Sequence, residues 1–83
     1  MPMAKPSPSY SGCIELVALG EKIRELRIKY GLSQEAFAEE VGIDRSYLGG
    51  IERGEHNLAI MNLIKITAIL KITPSDLFRS AKL

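Results

Sequence analysis

The eighteen residues from Gln34 to Ile51, QEAFAEEVGIDRSYLGGI, constrain the fold more than any other part of this chain. Phe37, Val41, Ile43, Leu48 and Ile51 are its apolar plugs, Ala38 is small, and Gly42 stands between the two halves. Two helices crossing steeply through a tight turn need that arrangement. The plugs hold both helices on a core, Ala38 lets them pack closely, and Gly42 can take the left-handed backbone of the turn. One face of the second helix is then left uncovered. That helix, RSYLGGIER, carries Gly49 and Gly50 in its interior, each costing about 1 kcal/mol against alanine. Such a helix suits close approach to another large surface. The alternative is that the glycines only permit helix–helix packing, above all Gly50.

The remaining residues extend the helical pattern. Leu16, Leu19, Ile23, Leu26 and Tyr30 step by 3, 4, 3 and 4 and form one helix face. Gly31 ends that helix, and Ser33 caps the next, which Gly42 ends. Asp44 caps the third, ended by Gly54. Leu58 to Leu70 form a fourth, and Thr73-Pro74 is a strong start for a fifth. No segment alternates with period two. The fold class expected is all-α, five short helices. The opening stretch MPMAKPSPSYSG, residues 1–12, reads as a flexible arm in which Lys5 is favoured as solvated over touching a phosphate. Residues 13–80 form the domain and 81–83 a tail.

Several functions are disfavoured. Eighty-three residues make one small domain, too small for a closed catalytic pocket. The chain has no nucleophile–base pair, phosphate loop or metal-ligand spacing, so no enzyme activity, metal or cofactor is implied. No apolar run is long enough to span a membrane, and the N-terminus lacks the pattern of a secretory signal. A single cysteine, Cys13, allows no internal disulfide and fits a reducing cytoplasm; it reads as a half-buried thiol at a helix start. Net charge is only +1, so a polyanion partner would be met by local placement of charge, not by bulk charge.

From Leu19 to Phe78 the sequence resembles the phage-repressor-like (Xre-type) helix-turn-helix family, with LGEKIRELRIKYGLSQEAFAEEVGIDRSYLGGIERGEHN carrying most of the likeness. Within it, RSYLGGIERGEHNLAI resembles the recognition helix and following loop of restriction-modification controller proteins. The resemblance implies a lambda-repressor-like DNA-binding domain and a dimeric, cytoplasmic, nucleoid-associated transcription regulator. Such a regulator binds a partly symmetric double-stranded DNA operator, activating or repressing by occupancy. Phage-type repressors and antitoxin-like proteins of the same fold are the alternatives; neighbouring endonuclease and methyltransferase genes would separate them.

In such a fold the N-terminal end of the third helix enters the major groove. Arg45 offers a fork that matches O6 and N7 of guanine. Ser46 and Tyr47 can reach base edges or backbone oxygens, and Gly49 removes bulk from the same face. Gln34 opens the second helix, where free N–H groups favour an anion, and the resemblance adds a phosphate contact from its amide. The resemblance also implies an ion pair between Arg27 and Glu52, with Arg27 reaching the DNA backbone; a purely structural pair is weighed equally. Arg53, His56 and Asn57 fall where loops meet the sugar-phosphate strand, although His56 is favoured slightly as a solvent-exposed spectator. Glu35, Glu39 and Glu40 read as a solvated face, with contact to RNA polymerase as the functional alternative.

On the fourth helix Ile60, Leu63, Ile66, Thr67 and Leu70 form a stripe for the core. Met61, Ile64 and Ala68 form a second apolar row, with Ile69 and Ile72 nearby and Phe78 on the fifth helix. A helix apolar on two faces in so small a domain points to a partner. A two-fold homodimer through these residues is therefore expected.

Overall fold

Apolar residues at helical spacing, punctuated by glycines and caps, produce five helices and no strand among the described residues 10–83 of the computed structural model. These are α1 (Ile14–Lys29), α2 (Gln34–Val41), α3 (Arg45–Glu52), α4 (Ile60–Ile69) and α5 (Pro74–Ser80). Most of the expected N-terminal arm, with Lys5, lies outside the described residues. Tyr10, Ser11 and Gly12 form a turn, and the Gly12 N–H donates to the Gly54 carbonyl at 2.8 Å. The last residues of the expected arm are thus tied to the loop after α3. At the other end the Leu83 N–H donates to the Phe78 carbonyl at 2.9 Å, closing the end of α5.

The caps are chemical as well as positional. Ser33 Oγ accepts from the Ala36 N–H at 3.0 Å, satisfying one of the free donors at the start of α2. Thr73 and Asp76 form a reciprocal capping box at 3.0 and 3.2 Å, with Pro74 in the first turn. Asp44 occupies the cap position of α3 but makes no side-chain capping bond, so α3 is held by its packing and its turn. In that turn Gly42 has φ +83°, and the N–H groups of Gly42 and Ile43 both donate to the Ala38 carbonyl, at 2.8 and 3.0 Å. The last turn of α2 is thereby satisfied.

The core joins Leu19 and Ile23 of α1, Phe37, Ala38 and Val41 of α2, and Leu48 and Ile51 of α3. Leu63 and Ile66 of α4, then Leu70 and Leu77, complete it, while Ile43 packs on its edge. Helix α1 lies across α3 and α5, and α2 lies across α3 and α4. At the α1–α3 crossing, Gly20 rests on the end of α3. A Cβ there would collide with the Ile51 carbonyl and stand 2.7 Å from that of Glu52.

Three expectations are corrected. Helix α4 begins at Ile60, not Leu58, and its first turn stands clear of the core, so Ile60 is exposed, as Met61 is. The core stripe of α4 starts one turn later, at Leu63. Tyr30 is also exposed, because α1 ends at Lys29 and its final residues pass the edge of the core.

Candidate nucleic-acid interface

Leu48 and Ile51 pin α3 to the core, and the opposite face of its first turn carries Arg45, exposed, with Ser46 and Tyr47 half-buried. Behind that face runs a chain of hydrogen bonds from core to surface. Arg27 gives Nε and Nη2 to the two oxygens of Glu52, at 2.7 and 3.2 Å, and its Nη1 to the Leu32 carbonyl at 2.7 Å. Both side chains are buried, 8% and 1% exposed. Glu52 Oε1 also accepts from Gln34 Nε2 at 2.9 Å, and Gln34 Oε1 accepts from Arg45 Nη1 at 3.3 Å. An ionised carboxylate only accepts. Glu52 therefore forces the amide nitrogen of Gln34 inward and its carbonyl outward, toward Arg45.

The ion pair expected between Arg27 and Glu52 is present, and it links α1 to α3. Arg27 itself is buried, with each of its three guanidinium nitrogens donating one bond, so it acts as an internal tie and presents no open fork to solvent. Replacing such a pair with apolar groups can be neutral, whereas removing one partner strands the other charge. The distinctive effect of this pair is geometric: it sets the pose of Gln34.

The two glycines of α3 serve different ends. A Cβ on Gly50 would collide with the His56 ring. Gly50 thus makes room for the loop after α3 to fold back, as the packing alternative held. His56 is accordingly buried, 5% exposed, which corrects both its reading as an exposed spectator and its reading as an open phosphate contact. Its ring centroid lies 4.6 Å from that of Tyr47, and its Nε2 has no hydrogen-bond partner. Asn57, next in the loop, is exposed. Gly49 stands on the outward row but is covered: Arg53 Nη1 lies 3.1 Å from where its Cβ would be, and the Gln34 amide atoms lie 3.8 Å away. The covering is possible because glycine leaves that space vacant.

Arg53 is paired with Glu55, a residue that the helical pattern did not single out. Nε donates to Oε2 at 2.7 Å and Nη2 to Oε1 at 3.1 Å. The bond lowers the Glu55 carboxyl below its usual range and raises the Arg53 guanidinium above its own. The Arg-Gly-Glu run after α3 was the available signal, but a charge pair two residues apart is not a helical motif.

Burial holds the His56 imidazole below its ordinary pKa, against the opposing attraction of Glu55 and with repulsion from Arg53. The unfolded chain then binds the proton more readily than the folded one. Stability should be full above about pH 6.5 and should fall as the pH drops below that value toward the lowered folded pKa. Thermal unfolding followed between pH 7.5 and 5 should show this slope, and His56→Gln should flatten it. An unchanged slope in the variant would assign it to other groups.

On α4 and α5, Met61, Ile64, Ala68 and Phe78 are exposed, while Ile69 and Ile72 are half-buried against the core. Glu35, Glu39 and Glu40 of α2 are all exposed. Among the described residues no group of three or more His, Cys, Asp or Glu is placed to hold a metal ion, and no helix is long and apolar enough to cross a membrane.

Residues 23–77 match the HTH_3 helix-turn-helix family. The chain is 46% identical over 63 residues to the control protein C.MunI of Mycoplasma sp, covering 75% of this chain and 85% of that one. The crystal structure of the restriction-modification controller protein C.AhdI from Aeromonas hydrophila superposes with a TM-score of 0.73 at 49% identity, covering 76% of this chain and 96% of that one. The biofilm regulator SinR, solved in complex with DNA, superposes with a TM-score of 0.68 at 34% identity, covering 72% of this chain and 97% of that one.

Proposed function

Because this chain belongs to the HTH_3 helix-turn-helix family, we propose that it is the controller of a restriction-modification gene cluster, a sequence-specific transcription regulator that binds duplex DNA as a dimer. The observation that carries this is the hydrogen-bonded chain from Arg27 through Glu52 and Gln34 to Arg45, which braces a guanidinium at the N-terminal end of α3. The likeness to C.MunI and C.AhdI supports the controller role within the family. The work is binding; no chemical step is assigned to it.

In this reading α3 lies in the major groove, and Arg45 reads guanine O6 and N7. Ser46 and Tyr47 contact base edges or the backbone beside it. Gln34, at the start of α2, holds a phosphate with its second amide hydrogen while the first stays on Glu52. Arg27 acts through that brace. Asn57 meets the backbone beyond α3, and His56 supports Tyr47 from behind. Met61, Ile64, Ala68 and Phe78 form the two-fold contact, with Ile69 and Ile72 beneath them. Activation requires a contact with RNA polymerase, for which the exposed Glu35, Glu39 and Glu40 are the candidates.

Selection of bound duplexes from a random pool, repeated at several protein concentrations, tests the reading. A partly symmetric site with stepwise loading is expected, and a pool that stays random after selection would reject it. Arg45→Ala should cost about 1–3 kcal/mol in binding to the selected site and relax preference at one base pair per half-site. Unchanged affinity and preference in a titration of that variant would remove Arg45 from the readout.

A further inference from the structure

Arg45, Gly49 and Arg53 follow one another at intervals of four and so form one row on α3 and its cap. The middle place of that row has no side chain. A helical side chain lies over the turn N-terminal to its own Cα, and Arg53 does so here, with Nη1 3.1 Å from the position of a Gly49 Cβ. Half of the Arg53 side chain is exposed, 52%. A guanidinium has two edges that can each bind a pair of acceptors. Glu55 occupies the edge made by Nε and Nη2. The end-on edge, made by Nη1 and the second hydrogen of Nη2, remains beside the vacant place at Gly49.

We propose that Arg53 reads a guanine edge across the gap left by Gly49, and that Glu55 is the positioning residue that turns it there. This rests on the DNA-binding reading above. It gives the row two guanidiniums, Arg45 and Arg53, with the Gln34 amide between them, and it assigns the base contact that Gly49 cannot make to the next residue along the row. It also explains why an acid is kept close to a polyanion. Glu55 weakens attraction to any phosphate backbone, but it fixes the orientation of a flexible side chain whose bidentate geometry carries sequence information.

A phosphate contact or a plain surface ion pair behaves differently, which makes the test signed. Wild type, Glu55→Gln and Arg53→Ala are each used to select duplexes from a random pool, and each is titrated on the wild-type site and on mixed-sequence DNA. Glu55→Gln should bind mixed-sequence DNA roughly two- to fivefold more tightly, since one exposed negative charge is gone. Its preference for guanine at one position per half-site, distinct from the position lost in Arg45→Ala, should fall about fivefold or more. Arg53→Ala should lose the same position. If Arg53→Ala weakens all sequences evenly, Arg53 is a phosphate contact and the proposal is overturned. It is also overturned if Glu55→Gln gains affinity with its base preference intact. If the wild-type protein enriches no sequence at all, the DNA-binding reading falls, and this inference falls with it.

Discussion

Glu52→Ala is expected to destabilise the fold by about 3–5 kcal/mol, because it strands the buried Arg27 guanidinium with only the Leu32 carbonyl for a partner. Natural domains hold about 5–15 kcal/mol in total, and one this small sits toward the low end. Denaturant unfolding should therefore place the midpoint of the variant far below that of the parent. A cost below about 1 kcal/mol would mean that the pair behaves like a solvated one. The companion variant separates stability from function. Arg27→Met combined with Glu52→Leu replaces the pair with apolar volume and should fold with close to parental stability. It should nonetheless bind the selected operator more weakly. Gln34 loses the acceptor that turns its amide inward, and Arg45 loses a carbonyl of fixed orientation. Full DNA affinity in the doubly substituted protein would confine the ion pair to folding.

The helix-turn-helix was legible because three independent kinds of residue had to agree. Phe37, Val41, Leu48 and Ile51 gave the period, Ala38 the close approach and Gly42 the positive φ, and all of them fall as expected. Ser33 and Thr73 were legible as caps because their side-chain oxygens bond locally. Period alone does not tell where a helix outruns its neighbours, and Tyr30 and Ile60 were misplaced for that reason. The Arg27–Glu52 pair lies 25 residues apart in sequence and was reached through family resemblance, not through spacing. His56 was misread because a lone polar residue in a loop normally faces water. Its burial depends on the hydrogen side chain of Gly50, a fact about the space between two segments. Glu55 and Gly20 share that character: each matters through a neighbour that one-dimensional pattern does not name.

Ile64→Glu is expected to lower affinity for a two-half-site duplex by about a hundredfold or more while leaving affinity for a single half-site nearly unchanged. Ile64 is 44% exposed, and exposed positions away from special features usually tolerate substitution within about 0.5 kcal/mol. The effect should therefore fall on association and not on folding. In a two-fold contact the same patch meets itself, so one substitution places two glutamates in one interface. Met61 and Ala68 share the row at spacings of 3 and 4, and Phe78 lies on α5, which packs beside α4. In the proposed dimer, pairing would matter to this chain in particular because its net charge is only +1. A single module making few phosphate contacts gains little from bulk electrostatics. Joining two modules turns the second contact into an intramolecular one, a gain of about 10²–10⁴ when recognition helices sit about one DNA turn apart. Sedimentation should show the parent as a dimer and the variant as a monomer at the same concentration. If the variant sediments as a dimer, or binds the full operator as well as the parent, the self-association surface lies elsewhere on the domain.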